Sequence, residues 1–299
     1  MQKIYLKQEF KERILCFFYS CVALFSSLLL LGMILFILRE CWPVWSQVGI
    51  TGFLSGTEWR PMSNPPQIGI APMIVSTLWV AGGALLIAAP LGFGCAIFLA
   101  EFAPGTLAAI IRPVLNMLTG IPSVVYGFLG AAVLIKFFEV RFDLASGESL
   151  FAASLVLAVM VIPFIVANSE AALRAVAPEY RHASIALGVS RQYMVLRILV
   201  PMARKGMLGA LVLGFGRAVG ETMAVLMVAG NTLQMPCSWF SKGEPLPALI
   251  ALELGSATPG SVHYQALFAA GLVLVIIVIT INFGINLLLR HLQKGADSI

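Results

Sequence analysis

The sequence predicts an all-α fold, a polytopic membrane bundle of about six transmembrane helices. Hydrophobic residues make up 60% of the 299 residues, charged residues only 11%, and the mean hydropathy is +0.95. A soluble domain of this length would need far more charge to cover its surface. The apolar residues also come in long unbroken runs, which a soluble core does not require. These observations place the chain in a membrane.

Six apolar runs are long enough to cross the roughly 30 Å of hydrocarbon in a bilayer as helices. Five of them carry no charge and cover residues 14–38, 72–100, 113–135, 150–169 and 265–289. The sixth, residues 206–228, has a similar length but contains Arg217 and Glu221. Because the first run is too long for the apolar region of a signal peptide, we expect it to remain as the first span.

An even number of spans places both termini on one side of the membrane, and the basic residues decide which side. Thirteen of them lie on the side of the termini: Lys3, Lys7, Lys11, Arg13, Arg112, Arg174, Arg181, Arg191, Arg197, Arg204, Lys205, Arg290 and Lys294. Five lie on the opposite side: Arg39, Arg60, Lys136, Arg141 and Lys242. By the positive-inside rule the richer side is cytoplasmic. We therefore expect a multi-pass protein of the cytoplasmic (inner) membrane with both termini in the cytoplasm.

Other classes of protein are poorly supported by the sequence. The basic residues form no face away from the membrane flanks, so nucleic acid is not an expected partner. The three histidines, His182, His263 and His291, are scattered, and we expect no metal or other cofactor. A nucleotide-binding Gly-x-x-x-x-Gly-Lys-Ser/Thr loop is missing from the sequence, so ATP hydrolysis cannot be assigned to this chain. An intramembrane enzyme would need catalytic histidines, aspartate pairs or a metal site in its spans, and the predicted spans contain neither residue type. We expect that the chain is not an enzyme.

The longest connection on the cytoplasmic side, residues 174–205, has the pattern of a short helix followed by a turn and a second helix. Pro178 suits the first turn of a helix, and Gly188 suits the end of one. The segment between them is amphipathic and about ten residues long. One interpretation is a linker helix at the membrane surface, held by arginines at the lipid headgroups. The other is a rigid element that transmits movement between two bodies.

The spacing within this connection resembles the cytoplasmic signature of the permeases of ABC importers. That family has Glu-Ala-Ala, three residues, Gly, nine residues and Ile-x-Leu-Pro. Here the matching residues are His182, Ala183, Ser184, Gly188, Ile198, Val200 and Pro201. The resemblance implies a coupling helix that docks on an ATPase subunit, although His182 removes the acidic residue of the signature. The literal Glu-Ala-Ala at residues 170–172 is out of register with this spacing.

The charged span contains the strongest candidate for a substrate site. Arg217 and Glu221 are four residues apart, which predicts that they share one helix face. An ionised side chain in mid-bilayer costs about 3 kcal/mol or more, so both should face protein or water. A purely structural scaffold would not explain why such charges are tolerated. An internal ion pair that ties helices together is one interpretation; the other is an oxyanion site, because a guanidinium offers a planar fork of donors. Thr222 would add a hydroxyl to that site.

A second resemblance is specific to substrate. Residues 217–224, Arg-Ala-Val-Gly-Glu-Thr-Met-Ala, look like the signature of phosphate-specific ABC permeases. Residues 70–78 and 121–127 are also similar to that family, and residues 53–61 resemble its C-type member. The resemblance spans residues 50–290. It implies a permease that moves inorganic phosphate, with a related oxyanion such as sulfate or molybdate as the alternative.

This resemblance also implies an organisation of the chain and a set of partners. An N-terminal tail, first helix and outer segment would cover residues 1–69, the permease transmembrane domain residues 70–291, and a C-terminal tail residues 292–299. The partners would be membrane lipid, a second phosphate permease in a heterodimer, two ATPase subunits and an external phosphate-binding protein. Pro122 would free backbone groups beside Ser123 and Tyr126, either as part of the substrate pathway or as a plain packing kink.

Overall fold

A computed structural model of the chain describes the backbone of residues 2–294 and the side chains of residues 13, 15–285 and 287. Within this part, six helical stretches are long and apolar enough to cross a membrane. They cover Leu15–Ser55, Ala71–Phe102, Ser123–Phe142, Leu150–Arg174, Arg191–Gly220 and Val262–Ile285. The predicted fold class, an all-α bundle of about six membrane helices, is confirmed.

Short helices and a small hairpin connect the spans. In chain order the helices are α1 (Gln2–Ser55), α2 (Ala71–Ile97), α3 (Gly105–Gly120), α4 (Ser123–Leu129), α5 (Lys136–Phe142), α6 (Leu150–Arg174), α7 (Pro178–Ala186), α8 (Arg191–Met194), α9 (Val200–Gly220), α10 (Met223–Leu226), α11 (Leu246–Glu253) and α12 (Val262–Lys294). Strands β1 (Trp59–Arg60) and β2 (Gln67–Ile68) form an antiparallel hairpin after α1. Wider π-helical turns cover Phe98–Phe102, Gly130–Ile135 and Val195–Leu199. The first extends α2, the second joins α4 to α5, and the third joins α8 to α9.

Helix α1 is much longer than the predicted first span and lies on the outside of the bundle. It continues past Leu38 to Ser55, with Pro43 inside it and a non-helical kink at Gly49. Its most apolar stretch has no buried residue, as expected for a helix surrounded by lipid. It packs against α12, where the rings of Phe36 and Phe268 meet edge to face at 5.6 Å between centroids.

The core of the bundle is built around α2 and α6, which pack closely along their length. Small residues make this approach possible. A Cβ on Gly92 of α2 would lie 2.7 Å from Cγ2 of Ile165 in α6. Both helices run from the end of the bundle that carries the hairpin, here called the hairpin end, to the end that carries α7. They are the two elements that connect the ends of the molecule most directly.

The third span differs from its prediction over residues 113–135. The helix breaks at Ile121, which is extended (φ −70, ψ 129), and a new helix starts after Pro122. Proline has no N–H to donate and disfavours helical conformation in the residue before it. The span therefore begins at Ser123 and continues through Lys136, Glu139 and Arg141 to Phe142. The prediction was wrong because it used the absence of charge to define the ends of the helix.

A polar clamp fastens the hairpin to the rest of the molecule. The indole Nε1 of Trp59 donates to Oε2 of Glu253, at the end of α11, at 2.9 Å. Nε2 of His263 lies 2.7 Å from the same carboxylate oxygen, and the rings of His263 and Trp59 meet edge to face. Trp59 and His263 are both buried. Glu253 thus joins β1, α11 and α12.

Candidate functional site

Two helix breaks lie side by side within the bundle. One separates α3 from α4 at Ile121 and Pro122; the other separates α9 from α10 after Gly220. Helices α4 and α10 pack directly against each other. The contact depends on Gly127, because a Cβ there would lie 2.9 Å from the Cα of Ala224. Irregular backbone at membrane depth is tolerated only where it is buried in protein or lines a water-filled path.

The structure corrects the predicted relation between Arg217 and Glu221. Helix α9 ends at Gly220, and Glu221 has extended backbone angles (φ −73, ψ 123). The two residues are therefore not on one helix face. Residues four positions apart share one face only within a continuous helix, and glycine at position 220 weakens the helix at that point. Within the described residues, no ion pair closer than 4.0 Å joins Arg217 to a carboxylate.

Arg217 lies on an exposed face of the single chain. Its guanidinium carbon is 5.8 Å from the centroid of the Phe164 ring in α6, within the range of a cation–π interaction. Leu213, Gly216 and Gly220 share this face of α9. A Cβ on either glycine would meet nothing within 4 Å. Because an arginine facing lipid at this depth costs about 3 kcal/mol, the face is suited to protein or water rather than to lipid.

The polar side chains predicted for the pathway occupy the two breaks. The hydroxyl of buried Tyr126 donates to the carbonyl of Leu118 at 2.8 Å, near the end of α3, and adds to the longer bond of 3.4 Å that this carbonyl accepts from the N–H of Ile121. The hydroxyl of Thr222 donates to the carbonyl of Gly220 at 3.3 Å. Ser123 is half-buried at the start of α4. The breaks therefore bring Ser123 and Tyr126 on one side close to the segment that carries Glu221 and Thr222.

The short helix predicted for the connection at residues 174–205 is present as α7. It begins at Pro178 and ends just before Gly188, whose φ of +70 permits the turn. Backbone N–H groups of Gly188 and Val189 donate to the carbonyls of Ile185 and Ser184, which closes the helix end. The chain then passes through α8 and a π-helical turn into α9, with Pro201 in its first turn.

The predicted coupling residues divide between two faces of α7. His182, Ala183 and Gly188 are exposed, as are the neighbouring apolar residues Ile185 and Leu187. Ser184 is different: it is buried, and its hydroxyl donates to the carbonyl of Tyr180 at 2.7 Å. Ile198 and Pro201 lie further along, at the entry to α9, half-buried and exposed respectively. The outward face of α7 is therefore the part that is free to contact another body.

Two groups of charged residues at this end of the bundle were missed by the sequence reasoning. Arg181, on the inward side of α7, donates to Glu101 at the end of α2. Arg112 and Arg174 both donate to Oε1 of Glu170 at 2.9 Å, beside a cavity of about 400 Å³. The signal was present in the sequence, because Glu101 and Glu170 each follow directly after a charge-free run. Glu170, out of register for the coupling signature, fastens α3 to α6 instead.

Sequence comparisons relate this geometry to known proteins. The family model described as "Binding-protein-dependent transport system inner membrane component" matches residues 88–298. The chain is 40% identical over 242 residues to the "Probable ABC transporter permease protein YqgH" of Bacillus subtilis, which covers 81% of this chain and 77% of that protein. It is 33% identical over 298 residues to the "Phosphate transport system permease protein PstC" of Haemophilus influenzae, with 93% of each chain covered.

Solved structures share the fold at low sequence identity. A chain of the MetNI methionine ABC transporter in an inward-facing conformation matches with a TM-score of 0.56 and 21% identity, over 77% of this chain and 99% of that chain. A chain of a bacterial alginate ABC transporter, in complex with an alginate-bound periplasmic protein, matches with a TM-score of 0.60 and 17% identity. That match covers 91% of this chain and 95% of the other. At these identities the likeness establishes the fold alone.

Proposed function

Because this chain belongs to the family of binding-protein-dependent transport system inner membrane components, we propose that it is the permease subunit of an ATP-driven importer of inorganic phosphate. The observation that carries the proposal is Arg217, an exposed guanidinium on a glycine-lined helix face beside two helix breaks. A multi-pass membrane permease, and not an enzyme, is the class to which its relatives belong. Sulfate or molybdate, the alternative substrates, are not favoured by the names of these relatives.

Phosphate would meet the chain at the break between α9 and α10. Arg217 offers several donors in one plane, which suits a tetrahedral oxyanion, and the ring of Phe164 holds the guanidinium against α6. Glu221 lies just beyond the end of α9. Its carboxylate would accept a hydrogen bond from the proton that phosphate retains near neutral pH. Thr222 and Ser123 add hydroxyls from the two sides of the paired breaks. The placement of the four side chains supports these roles.

A second permease would complete the pathway by covering the face that carries Arg217. The face has room for close approach, since Gly216 and Gly220 present no side chain and meet nothing within 4 Å. An aqueous path between two permeases would place Arg217 in water and protein and away from lipid. The assembly we propose is therefore a heterodimer of related permeases, with this chain as the C-type subunit.

Two ATPase subunits would supply the energy, one of them docked on the outward face of α7. That face presents His182, Ala183 and Ile185, and it ends at the sharp turn of Gly188. Exposed apolar side chains at the tip of a short helix suit insertion into a groove of another protein. Ile198 and Pro201 would set the path from this helix into α9.

The orientation we propose places both termini and α7 in the cytoplasm, following the excess of basic residues on that side. The hairpin end, with β1, β2 and α11, would then receive an external phosphate-binding protein. A reporter that is active only outside the cell, fused within residues 177–197, should be inactive. Activity of that fusion, with inactivity of a fusion within residues 231–264, would reverse the orientation.

The decisive experiment is ATP-dependent uptake of radiolabelled phosphate by the complete complex in proteoliposomes. We expect unlabelled phosphate to compete with the label and sulfate or molybdate at the same concentration to compete poorly. Preferential uptake of labelled sulfate or molybdate would support the alternative substrate. A complex with a Walker-lysine substitution in the ATPase subunit serves as the matched control for passive leak.

A further inference from the structure

We infer that Arg181 and Glu101 are positioning residues for energy coupling: their ion pair fixes the angle of α7 and makes it move together with α2 and α6. The inference rests on the proposed function, because it gives α7 the role of docking on an ATPase. It concerns how a displacement of α7 by an ATPase is transmitted to the membrane helices. The two residues take no part in binding phosphate.

The Arg181 guanidinium uses all three of its nitrogens to hold neighbouring elements. Nε and Nη2 donate to Oε1 of Glu101, at 3.2 and 2.7 Å. Nη1 donates to the carbonyl of Val176 at 2.9 Å, and Nη2 also donates to the carbonyl of Leu173 at 2.9 Å. One side chain of α7 thus binds both the end of α2 and the end of α6.

The surroundings of the pair make these bonds strong. The side chain of Glu101 is only 7% exposed and that of Arg181 22% exposed, so water screens their attraction weakly. Leu173 lies in the last turn of α6, whose carbonyls form the negative end of the helix dipole. A cation at that position is favoured for a second reason, independent of Glu101.

Few contacts of helix α7 itself hold it in place, although the flanking residues Val176 and Val189 are part of the nearby apolar cluster. Within the described residues, Ser184 is its only buried residue, and that hydroxyl bonds within the helix itself. No side chain of α7 belongs to the nearby apolar cluster, which is built from residues such as Leu173, Met194 and Leu199. Apolar packing therefore holds the two ends of the α7 segment, and the orientation of α7 between them depends on its polar attachment through Arg181.

The attachment leads directly to the candidate pathway. Glu101 ends the π-helical extension of α2, and α2 packs along α6 through the centre of the bundle. Phe164 of α6 lies under the guanidinium of Arg217. A displacement of α7 by an ATPase would thus be passed to the helices that border the helix breaks, as movement of one rigid body.

The test uses the complete complex in proteoliposomes and measures two rates, oxyanion uptake and ATP hydrolysis. The principal variant is the double substitution Arg181→Gln and Glu101→Gln, which leaves no unpaired buried charge and keeps both side chains polar, with the size of Glu101 preserved and that of Arg181 reduced. We expect the complex to assemble and hydrolyse ATP, while uptake per ATP hydrolysed falls at least about fivefold, a change of about 1 kcal/mol in coupling. The variant Arg181→Lys, which keeps one charged contact to Glu101, should recover a large part of the loss.

Arg174→Gln provides the matched control, because it removes one donor to Glu170 from a half-exposed arginine at the same end of the bundle. Unchanged uptake per ATP in the double variant, with normal assembly, would overturn the inference. A fall in melting temperature that accompanies the loss, with no recovery in Arg181→Lys, would also overturn it, since the pair would then serve stability only. If the wild-type complex takes up a different oxyanion, the same ratio is measured with that anion, and only the proposed substrate fails.

Discussion

Glu221 and Arg217 are four residues apart in the chain, yet α9 ends between them and no ion pair joins them. Glu221 could either anchor Arg217 or discriminate between oxyanions. The absence of an ion pair between the two residues in the described structure favours discrimination. A carboxylate that merely anchored Arg217 would be expected to touch it, whereas the guanidinium lies over Phe164. The carboxylate is then available to discriminate between oxyanions. Phosphate near neutral pH carries a proton to donate to it, and sulfate does not.

The variant Glu221→Gln tests this discrimination. We expect the ratio of sulfate to phosphate uptake to rise about tenfold, since an unsatisfied buried acceptor or a like-charge contact costs about 1–3 kcal/mol. The measurement is competitive uptake of the two labelled anions with the external binding protein bypassed. Glu139→Gln, in the first turn of α5, is the control and should leave the ratio unchanged. Equal loss of both anions would instead support the anchoring role.

Glu244 is a buried carboxyl group at the hairpin end, outside the candidate spans, and 4% exposed. Burial, and then repulsion from Glu253, raises the pKa of Glu244 from 4.5 to about 7. Between these values the folded protein holds a proton that the unfolded chain releases. The stability contributed by Glu244 is therefore complete below pH 4.5 and is lost as the pH rises through about 7.

Replacing Glu244 by glutamine should remove this pH dependence. At pH 8 we expect Glu244→Gln to raise the free energy of unfolding by up to about 3 kcal/mol, and near pH 4.5 to leave it nearly unchanged. Thermal unfolding of the purified protein at the two pH values measures the difference. Titrating groups that do not interact with Glu244 are common to both proteins and cancel in the comparison, whereas the change in repulsion from Glu253 is part of the measured difference. An equal shift at both pH values would show that the hydrogen bonding of the amide, and not the charge of Glu244, is responsible.

At the scale of elements, the apolar runs predicted the number and order of the spans but not their ends. The run at residues 72–100 matches α2 and its extension closely, because charge begins at Glu101, where the helix also ends. The run at residues 206–228 does not, because Gly220 and Thr222 end α9 within it. Such breaks depend on how α4 and α10 pack at Gly127, a contact between segments almost 100 residues apart. Hydropathy in a single stretch of sequence contains no information about that contact.

The end of α7 was predicted well because it depends on local chemistry. Gly188 adopts φ +70, which glycine reaches without the steric penalty of a Cβ. Pro178 likewise starts the helix for a reason that concerns that residue alone. The attachment of Arg181 to Glu101, by contrast, joins residues 80 positions apart and could not be derived from either one.

Substitution of Gly188 tests whether the turn itself matters for coupling. A Cβ there meets nothing within 4 Å, so the cost of a side chain comes from the positive φ, about 1–2 kcal/mol for an ordinary residue. We expect Gly188→Val to uncouple ATP hydrolysis from uptake or to weaken assembly with the ATPase, with normal membrane insertion. Gly188→Asn, which tolerates this conformation, should have a much smaller effect. Coupled transport at the wild-type level in Gly188→Val would contradict the role of the turn.

At the scale of the whole molecule, the surfaces of the bundle differ in what they are suited to contact. Helix α1 exposes an uninterrupted apolar surface, whereas the face of α9 combines Leu213 and two glycines with the charge of Arg217. A bilayer covers the first surface without cost. The second surface needs protein or water, and two related permeases that face each other would provide both. On the proposed function, a second permease would complete the pathway that this face lines.

A spin label at Leu213 distinguishes a heterodimer from a pair of identical chains. In a background without native cysteines, we expect the label on Leu213→Cys to lose mobility when the complex assembles, because the second permease covers this face. A label on Leu31→Cys, on the lipid-facing side of α1, should keep its mobility and serves as the control. In a heterodimer each complex carries one label, so dipolar spectroscopy should detect no distance between labels. A defined distance would indicate two copies of this chain facing each other, and unchanged mobility at Leu213 would show that the face of Arg217 is not where the partner binds.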